Sequence, residues 1–403
     1  MAENVVHPHL IVPPEEVSAR LARLQQTLAA KGLPVAVITH RVDLYYLTGS
    51  MPNGLLVCPA QGAPIYFVRK SLSRVRIESP LADLRPLRGS DEWLAEVRRA
   101  AGGNPSRAGL DLDVYPAASY LQLAAKAPDI QWVDTGPVLR ALRAVKSRWE
   151  IDRLREAARQ VDLGYAAVRD SLVPGLTELE LSAIMEGAMR RAGHSAIIRL
   201  RRPGLELGPT HISSGLSASS PTSFDGPVGA EGPSPASAGG GGYATIRRGV
   251  PVMLDILGTS GGYTADIART FCVGEPPAEL LRAHDFCCEA MHRIEALLRP
   301  GTPWGEVYET VDAWAKAAGE PTGFMGYGEN RVKFFGHGVG LEVDELPILA
   351  RGFQDQLAVG NVIAVEPKAF FPDLGPAGLE NTVVIEEGGP VSLSAWKEEI
   401  EVV

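Results

Sequence analysis

Four acidic residues stand where an apolar strand would ordinarily bury an uncharged side chain. Asp255 lies in VMLDIL, and Asp266 follows eleven residues later in YTADIARTF, across the turn GTSGG. Glu366 in VIAVEPKAF and Glu380 in AGLENTVVI form a second pair fourteen residues apart. An ionised carboxylate withdrawn from water needs a cationic partner. An arginine or a capped turn could satisfy any one of these acids, whereas one shared cation site accounts for all of them together. His337, in the glycine-flanked segment FFGHGVGLEVDE, adds a nitrogen where backbone and ligand can approach closely. Carboxylates plus one imidazole make an oxygen-rich set suited to divalent Mn, Co, Fe or Zn. Two such ions about 3.5 to 4 Å apart can activate a water as hydroxide and polarise a carbonyl, so no side-chain nucleophile is required. The cysteines, Cys58, Cys272, Cys287 and Cys288, contain no CxxC pair and support neither a zinc ribbon nor a disulfide framework. They read as reduced packing residues.

The elements that must position these groups can be followed along the chain. The turn between Asp255 and Asp266 predicts a hairpin that aims both carboxylates at one point. Upstream, SRWEIDRLREAARQVDLGYAAVRDSL predicts one long amphipathic helix stopped by Pro174-Gly175. An internal echo then appears. Pro174-Gly175-Leu176-Thr177 and Pro300-Gly301-Thr302 each precede a helical segment ending in Ala-Gly, and Asp255 and Glu366 each stand six residues after a strand-opening glycine, Gly249 and Gly360. Two similar αβ halves are implied, each delivering a carboxylate from the end of an apolar strand. Residues 203–242, rich in Pro, Gly and Ser, interrupt the first half as a functional loop in which Thr210 to Ser214 can form a short strand. GGGGY within it lacks the pattern of a phosphate-binding loop.

Towards the N-terminus, Pro14 to Ala30 has helical spacing, Val35–Thr39, Leu55–Cys58 and Ile65–Val68 read as strands, and Glu92 to Ala100 as a helix. The fold class is therefore α/β (α+β), with an N-terminal domain at 1–145 and a second domain at 146–403. Composition limits the partners. Hydrophobic residues make up 45% and charged residues 22%, and the net charge of −9 offers no general basic field for nucleic acid. No basic-then-apolar leader and no apolar run of about 18 residues is found, so a cytoplasmic protein without membrane partners is expected.

LDILGTSGGYTADIARTF, FFGHGVGLEVDELP, VEPKAFFP and GLENTVVI resemble, in order and spacing, the metal-binding motifs of the pita-bread metallopeptidases, the family of prolidase, aminopeptidase P, methionine aminopeptidase and creatinase. VKSRWEIDRLREAA is similar to the helix that opens their catalytic domain, and the preceding region to the smaller N-terminal domain of the prolidase and creatinase branch. The resemblance implies metal ligands at Asp255, Asp266, His337, Glu366 and Glu380, with Asp255 and Glu380 among those holding both ions or bidentate. It also implies two divalent ions per chain (Mn first, then Co, Fe or Zn), a homodimer, and small peptide or amide substrates, often cleaved beside proline. The activity implied is a dimetal hydrolase of the Xaa-Pro peptidase type, in which metal-bound hydroxide attacks a carbonyl and Glu366 moves the proton to the leaving nitrogen.

Departures from that pattern mark further residues. Asp344 stands where the peptidase branches carry a second histidine in GHGxGLxxHE, and a carboxylate cannot donate to a developing oxyanion. Lys333 replaces another histidine four residues before His337. Asp225, in SSPTSFDGPVG, lies near the place of a loop histidine. His194 and His211 could compensate. Asp344 has three readings: a surface acid, a partner for a substrate ammonium, for Lys333 or for a nearby arginine, or a general base in a metal-dependent lyase, amidinohydrolase or amidohydrolase. A protein that kept the fold and lost catalysis is the non-enzymatic alternative. Catalytic weight thus falls on Glu366, His337 and Asp344, and substrate contact on Asp225, His211 and Lys333. The 203–242 loop is expected to wall the entrance together with the N-terminal domain of the same or a partner subunit, and so to select small substrates. Tyr263, Arg269 and Phe335 are near the site in sequence and equally suited to packing.

Overall fold

A computed structural model describes residues 10–202, 204–328 and 331–403. It divides into two compact units, Met1–Arg143 and Ala144–Val403. The first contains α1 (Pro14–Ala30), β1 (Val35–Ile38), α2 (Arg41–Thr48), β2 (Gly54–Pro59), β3 (Ile65–Val68), α3 (Leu72–Glu78), β4 (Leu84–Pro86), α4 (Ser90–Ala100), β5 (Arg107–Leu110), α5 (Ala117–Lys126), β6 (Gln131–Asp134) and all but the last residue of α6 (Gly136–Ala144). Its sheet runs β4-β3-β2-β1-β5-β6. VAVI and IYFV, the sequences of β1 and β3, are apolar throughout and buried at every position, as strands covered on both faces must be.

The second unit continues with α7 (Arg148–Arg169), α8 (Glu178–Arg191), β7 (Thr210–Ser214), β8 (Pro251–Ser260), β9 (Tyr263–Cys272), α9 (Ala278–Leu297), α10 (Trp304–Ala317), β10 (Phe334–Gly338), β11 (Glu345–Ala350), β12 (Val362–Val365), β13 (Lys368–Phe371), β14 (Gly375–Gly378), β15 (Asn381–Glu386), β16 (Gly389–Ser392) and β17 (Glu401–Val402). One sheet is ordered β17-β9-β8-β7, a second β11-β10-β12-β15-β16, and β13 pairs with β14. Capping boxes fix the starts of α7 (Ser147 with Glu150) and α8 (Thr177 with Glu180).

Each sheet is backed by a pair of helices, which is the physical content of the echo. Ala157, Val161 and Tyr165 of α7 and Met185 of α8 share a core with Leu254, Ile256, Ala265 and Ile267 of the first sheet. Met291 and Ile294 of α9 and Val307 and Val311 of α10 do the same with Ile363, Val365, Val383 and Ile385 of the second. Backbone contact between α7 and β8 is close: a Cβ on Gly258 would lie 2.0 Å from the Ala157 carbonyl oxygen. Because successive strand residues face opposite ways, the residues alternating with these core positions, Asp255 and Asp266 among them, point away from the helices.

The 203–242 segment contains β7 and a 3₁₀ turn at Gly215–Ser219. Buried Glu178, at the start of α8, holds it at two places, accepting from the Ser214 N–H at 2.6 Å and the Gly242 N–H at 2.9 Å. Among the described residues no helix is long and apolar enough to cross a membrane.

Candidate metal centre

Register places the first pair of acids. In the β8–β9 hairpin Asp255 pairs with Ala268 and Leu257 with Asp266, so the two carboxylates are diagonal neighbours on one face. Glu380 joins them by an antiparallel bridge to Ala268, with the N–H of each residue donating to the other's carbonyl, at 3.0 and 3.2 Å. Thr382 secures Asp266: its hydroxyl accepts from the Asp266 N–H at 2.8 Å and donates to the Asp266 carbonyl at 2.7 Å. In the second sheet β10 runs antiparallel to β12, pairing His337 with Ala364, and the Glu366 N–H donates to the Phe335 carbonyl at 3.0 Å. The flanking glycines are needed for this approach. A Cβ on Gly336 would lie 2.4 Å from the Ala364 carbonyl oxygen, and one on Gly338 2.2 Å from that of Leu346.

His337 is oriented by its backbone contacts. Nδ1 lies 3.2 Å from the Val343 carbonyl, a geometry in which it donates and leaves Nε2 with a free lone pair. Nε2 faces the acids, 3.6 Å from Glu366 Oε1. Ligand atoms of Asp266, His337 and Glu380 come within 4.8 Å of one another. Asp266 Oδ1 and Glu380 Oε1 are buried and have no hydrogen-bond partner. Orphaned hard oxygens beside an aimed imidazole are what a divalent cation takes up, and these residues fit one.

The electrostatics of the cluster agree. Burial, reinforced by the charges of Glu380 and Asp255, pushes the Asp266 carboxyl well above its ordinary range. Burial likewise raises Glu380 to about 8 despite a neighbouring ammonium. For Asp255, burial is outweighed by Lys368 and His211, which hold it below the usual carboxylate value. His337 is raised: burial opposes its protonation, but Asp344, Glu366 and Glu380 favour it. A cluster in this condition has more negative charge than its protein cations neutralise.

The ammonium belongs to Lys368, a residue not singled out from the sequence. Its side chain is buried, and Nζ donates to Asp255 Oδ2 at 2.7 Å, to Glu366 Oε2 at 3.1 Å and to Glu380 Oε2. The available signal was its position two residues after Glu366, which on an extended backbone puts both side chains on the same side. Arg269 proves to be a positioning residue. It is 1% exposed, and its guanidinium donates to the carbonyls of Lys397, Ala268, Glu380 and Trp396 and to Asn381 Oδ1, satisfying all five of its N–H groups. Tyr263 donates to Glu150 at 2.8 Å, and Phe335 is in the core, so both serve packing.

Asp255, Asp266, His337, Glu366 and Glu380 line one cavity of about 370 Å³, which is also reached by His211, Asp225 and Asp344. Segments of the 203–242 loop form part of its wall through Leu205, Leu207 and Phe224. His211 pairs with Asp255 across β7 and β8, and burial keeps its imidazole below the ordinary pKa. Asp344 is 64% exposed and lies 3.9 Å from His337 Nδ1, so it approaches the imidazole from the side away from the acids. Lys333 lines a neighbouring cavity together with Asp225 and is absent from the wall that holds the acids. His194 is structural: Nε2 lies 2.7 Å from the Leu257 carbonyl, and Nδ1 accepts from the Ala196 N–H.

Comparison with known proteins places this geometry in a lineage. Residues 20–145 match the creatinase/prolidase N-terminal domain, and residues 152–387 match metallopeptidase family M24. The chain is 32% identical over 403 residues to the probable dipeptidase PepE of Mycobacterium tuberculosis, covering 96% of this chain and 97% of that protein. It is 25% identical over 384 residues to the Xaa-Pro dipeptidase of Pyrococcus furiosus, covering 94% and 99%. The crystal structure of dipeptidase PepE from Mycobacterium ulcerans superposes with a TM-score of 0.77 at 28% identity, covering 98% of this chain and 99% of that one. The pita-bread architecture, the whole-length kinship and the match over 152–387 lead to one conclusion: the chain belongs to metallopeptidase family M24.

Proposed function

We propose that this protein is a metal-dependent dipeptidase acting on small peptides, Xaa-Pro dipeptides among them. The observation that carries this reading is the convergence of four carboxylates and an aimed imidazole on one wall of a small cavity. A divalent ion held by Asp266, His337, Glu366 and Glu380, manganese in this reading, would supply Lewis acidity and make a bound water more acidic. The chain's own residues do the rest. Glu366 accepts a proton from the attacking water and delivers it to the departing nitrogen. His337 is held by Val343, so its Nε2 does not rotate away. His211 is kept neutral by burial and presents an imidazole beside the first acid for the substrate carbonyl. A dipeptide carries charge at both ends, and the cavity wall offers Asp344 and Asp225 for its ammonium and Arg202 for its carboxylate.

The test is release of free amino acid from a panel of Xaa-Pro and proline-free dipeptides by metal-loaded protein. Turnover of any of them supports the reading, and silence across the panel overturns it. A cytoplasmic homodimer completes the proposal, and sedimentation of the purified chain checks the assembly.

A second reading rests on Asp344, an exposed carboxylate in the substrate cavity that could remove a proton in a lyase or non-peptide amidohydrolase reaction. Asp344→Asn separates the two. The dipeptidase reading expects kcat within about tenfold of wild type with KM raised, because Asp344 touches the imidazole from the far side. A general base would lose about 10²- to 10⁴-fold in kcat.

A further inference from the structure

The Lys368 ammonium occupies the place of a cation. An ammonium has three N–H donors, and each meets a carboxylate of a different candidate ligand: Asp255 Oδ2 at 2.7 Å, Glu366 Oε2 at 3.1 Å, and Glu380 Oε2. The side chain is 2% exposed. Its backbone is fixed as well. Lys368 opens β13 opposite Gly378, its carbonyl accepts from the Met325 N–H at 2.8 Å, and a Cβ on Gly378 would lie 2.7 Å from the Lys368 Cα. The strand that carries the ammonium is thus held in place on both sides of its Cα.

Donor atoms that Lys368 leaves free lie to one side. Asp266 Oδ1 and Glu380 Oε1 are without partners, and His337 Nε2 faces them from β10. The cluster therefore separates into a face already carrying a positive charge, around Asp255, and a face lacking one, around Asp266, His337 and Glu380. One divalent ion on the open face leaves the acids still in excess over the cations. A second, sharing oxygens with the ammonium, would press three cations into one pocket of carboxylates at hydrogen-bond separations, where repulsion is strongest.

We propose that this protein holds a single divalent ion, on Asp266, His337 and Glu380 with Glu366 alongside, and that Lys368 is the fixed cation of the second position. This rests on the reading of the cluster as a metal centre. It assigns Lys368 the task of holding Asp255, Glu366 and Glu380 in place whether or not metal is present.

Manganese stoichiometry tests it without reference to activity. Wild-type protein, stripped and titrated with Mn(II) in a calorimeter, is expected to bind about one ion per chain, and its electron paramagnetic resonance spectrum at saturation should be that of isolated Mn(II). Lys368→Ala, which removes the ammonium and opens its space, should bind about two ions and show an exchange-coupled pair. Two ions or a coupled signal in the wild type would overturn the proposal without needing the variant to fold. A folded Lys368→Ala protein that still bound one ion would also overturn it. Absence of binding by both proteins would instead remove the metal-centre reading, and the inference with it.

Discussion

Glu366→Gln should lower kcat by about 10³-fold in folded protein saturated with metal, its affinity for the ion falling with the loss of one carboxylate charge. The substitution keeps size and shape but removes the negative charge and the ability to take a proton. The surroundings of Glu366 support the proposed role. Its N–H is fixed to the Phe335 carbonyl, one carboxylate oxygen is engaged by Lys368, and the other faces His337 Nε2 at 3.6 Å. It is thus the acid shared between the open face of the cluster and the fixed ammonium. Steady-state kinetics together with metal analysis of the same sample make the measurement. Activity within about tenfold of wild type, with metal bound, would show that another group moves the proton.

Arg269→Met is expected to have the largest effect on stability, about 3 to 5 kcal/mol, because a group that satisfies five buried acceptors is replaced by one that satisfies none. The acceptors include the carbonyls of Ala268 and Glu380 on one side and those of Trp396 and Lys397 on the other. Arg269 therefore joins the C-terminal segment to the bridge that carries Glu380. Loss of that connection frees the Glu380 backbone, and metal affinity should fall by about 10- to 100-fold in protein that still folds. Urea unfolding gives the first quantity and calorimetric metal titration the second. Arg269→Lys, which keeps the charge but has three donors, should fall between the two. Unchanged stability in Arg269→Met would mean that these hydrogen bonds contribute little net energy.

Much of the second unit was legible in the sequence because its signals are local and repeated. VMLDIL-GTSGG-YTADIARTF forms the hairpin that its turn and apolar alternation require, and the two Pro-Gly stops precede α8 and α10 as expected. The strand within the 203–242 loop also formed at Thr210–Ser214. What sequence could not convey is direction across the fold. Lys333 is four residues before His337 yet lines a different cavity, outside the strand that carries the imidazole. Asp344 reaches the imidazole on its Nδ1 side, a consequence of the turn between β10 and β11 that spacing alone does not fix. His194 is drawn into the structure by the carbonyl of Leu257. Lys368 was hidden for another reason. A lysine beside a strand is most often solvated, but the β13–β14 pairing turns this one inward, where carboxylates receive it.

In the proposed function, hydrolysis depends on a divalent ion bound by this cluster. The most direct measurement is dipeptide hydrolysis by one preparation in three states: as purified, stripped by chelation, and titrated back with Mn(II) while bound metal is counted. The stripped protein should be inactive, and activity should return in proportion to occupancy of the cluster, with His337→Ala failing to recover. Full activity in the stripped protein, or metal bound to saturation with no hydrolysis of any dipeptide, would contradict it.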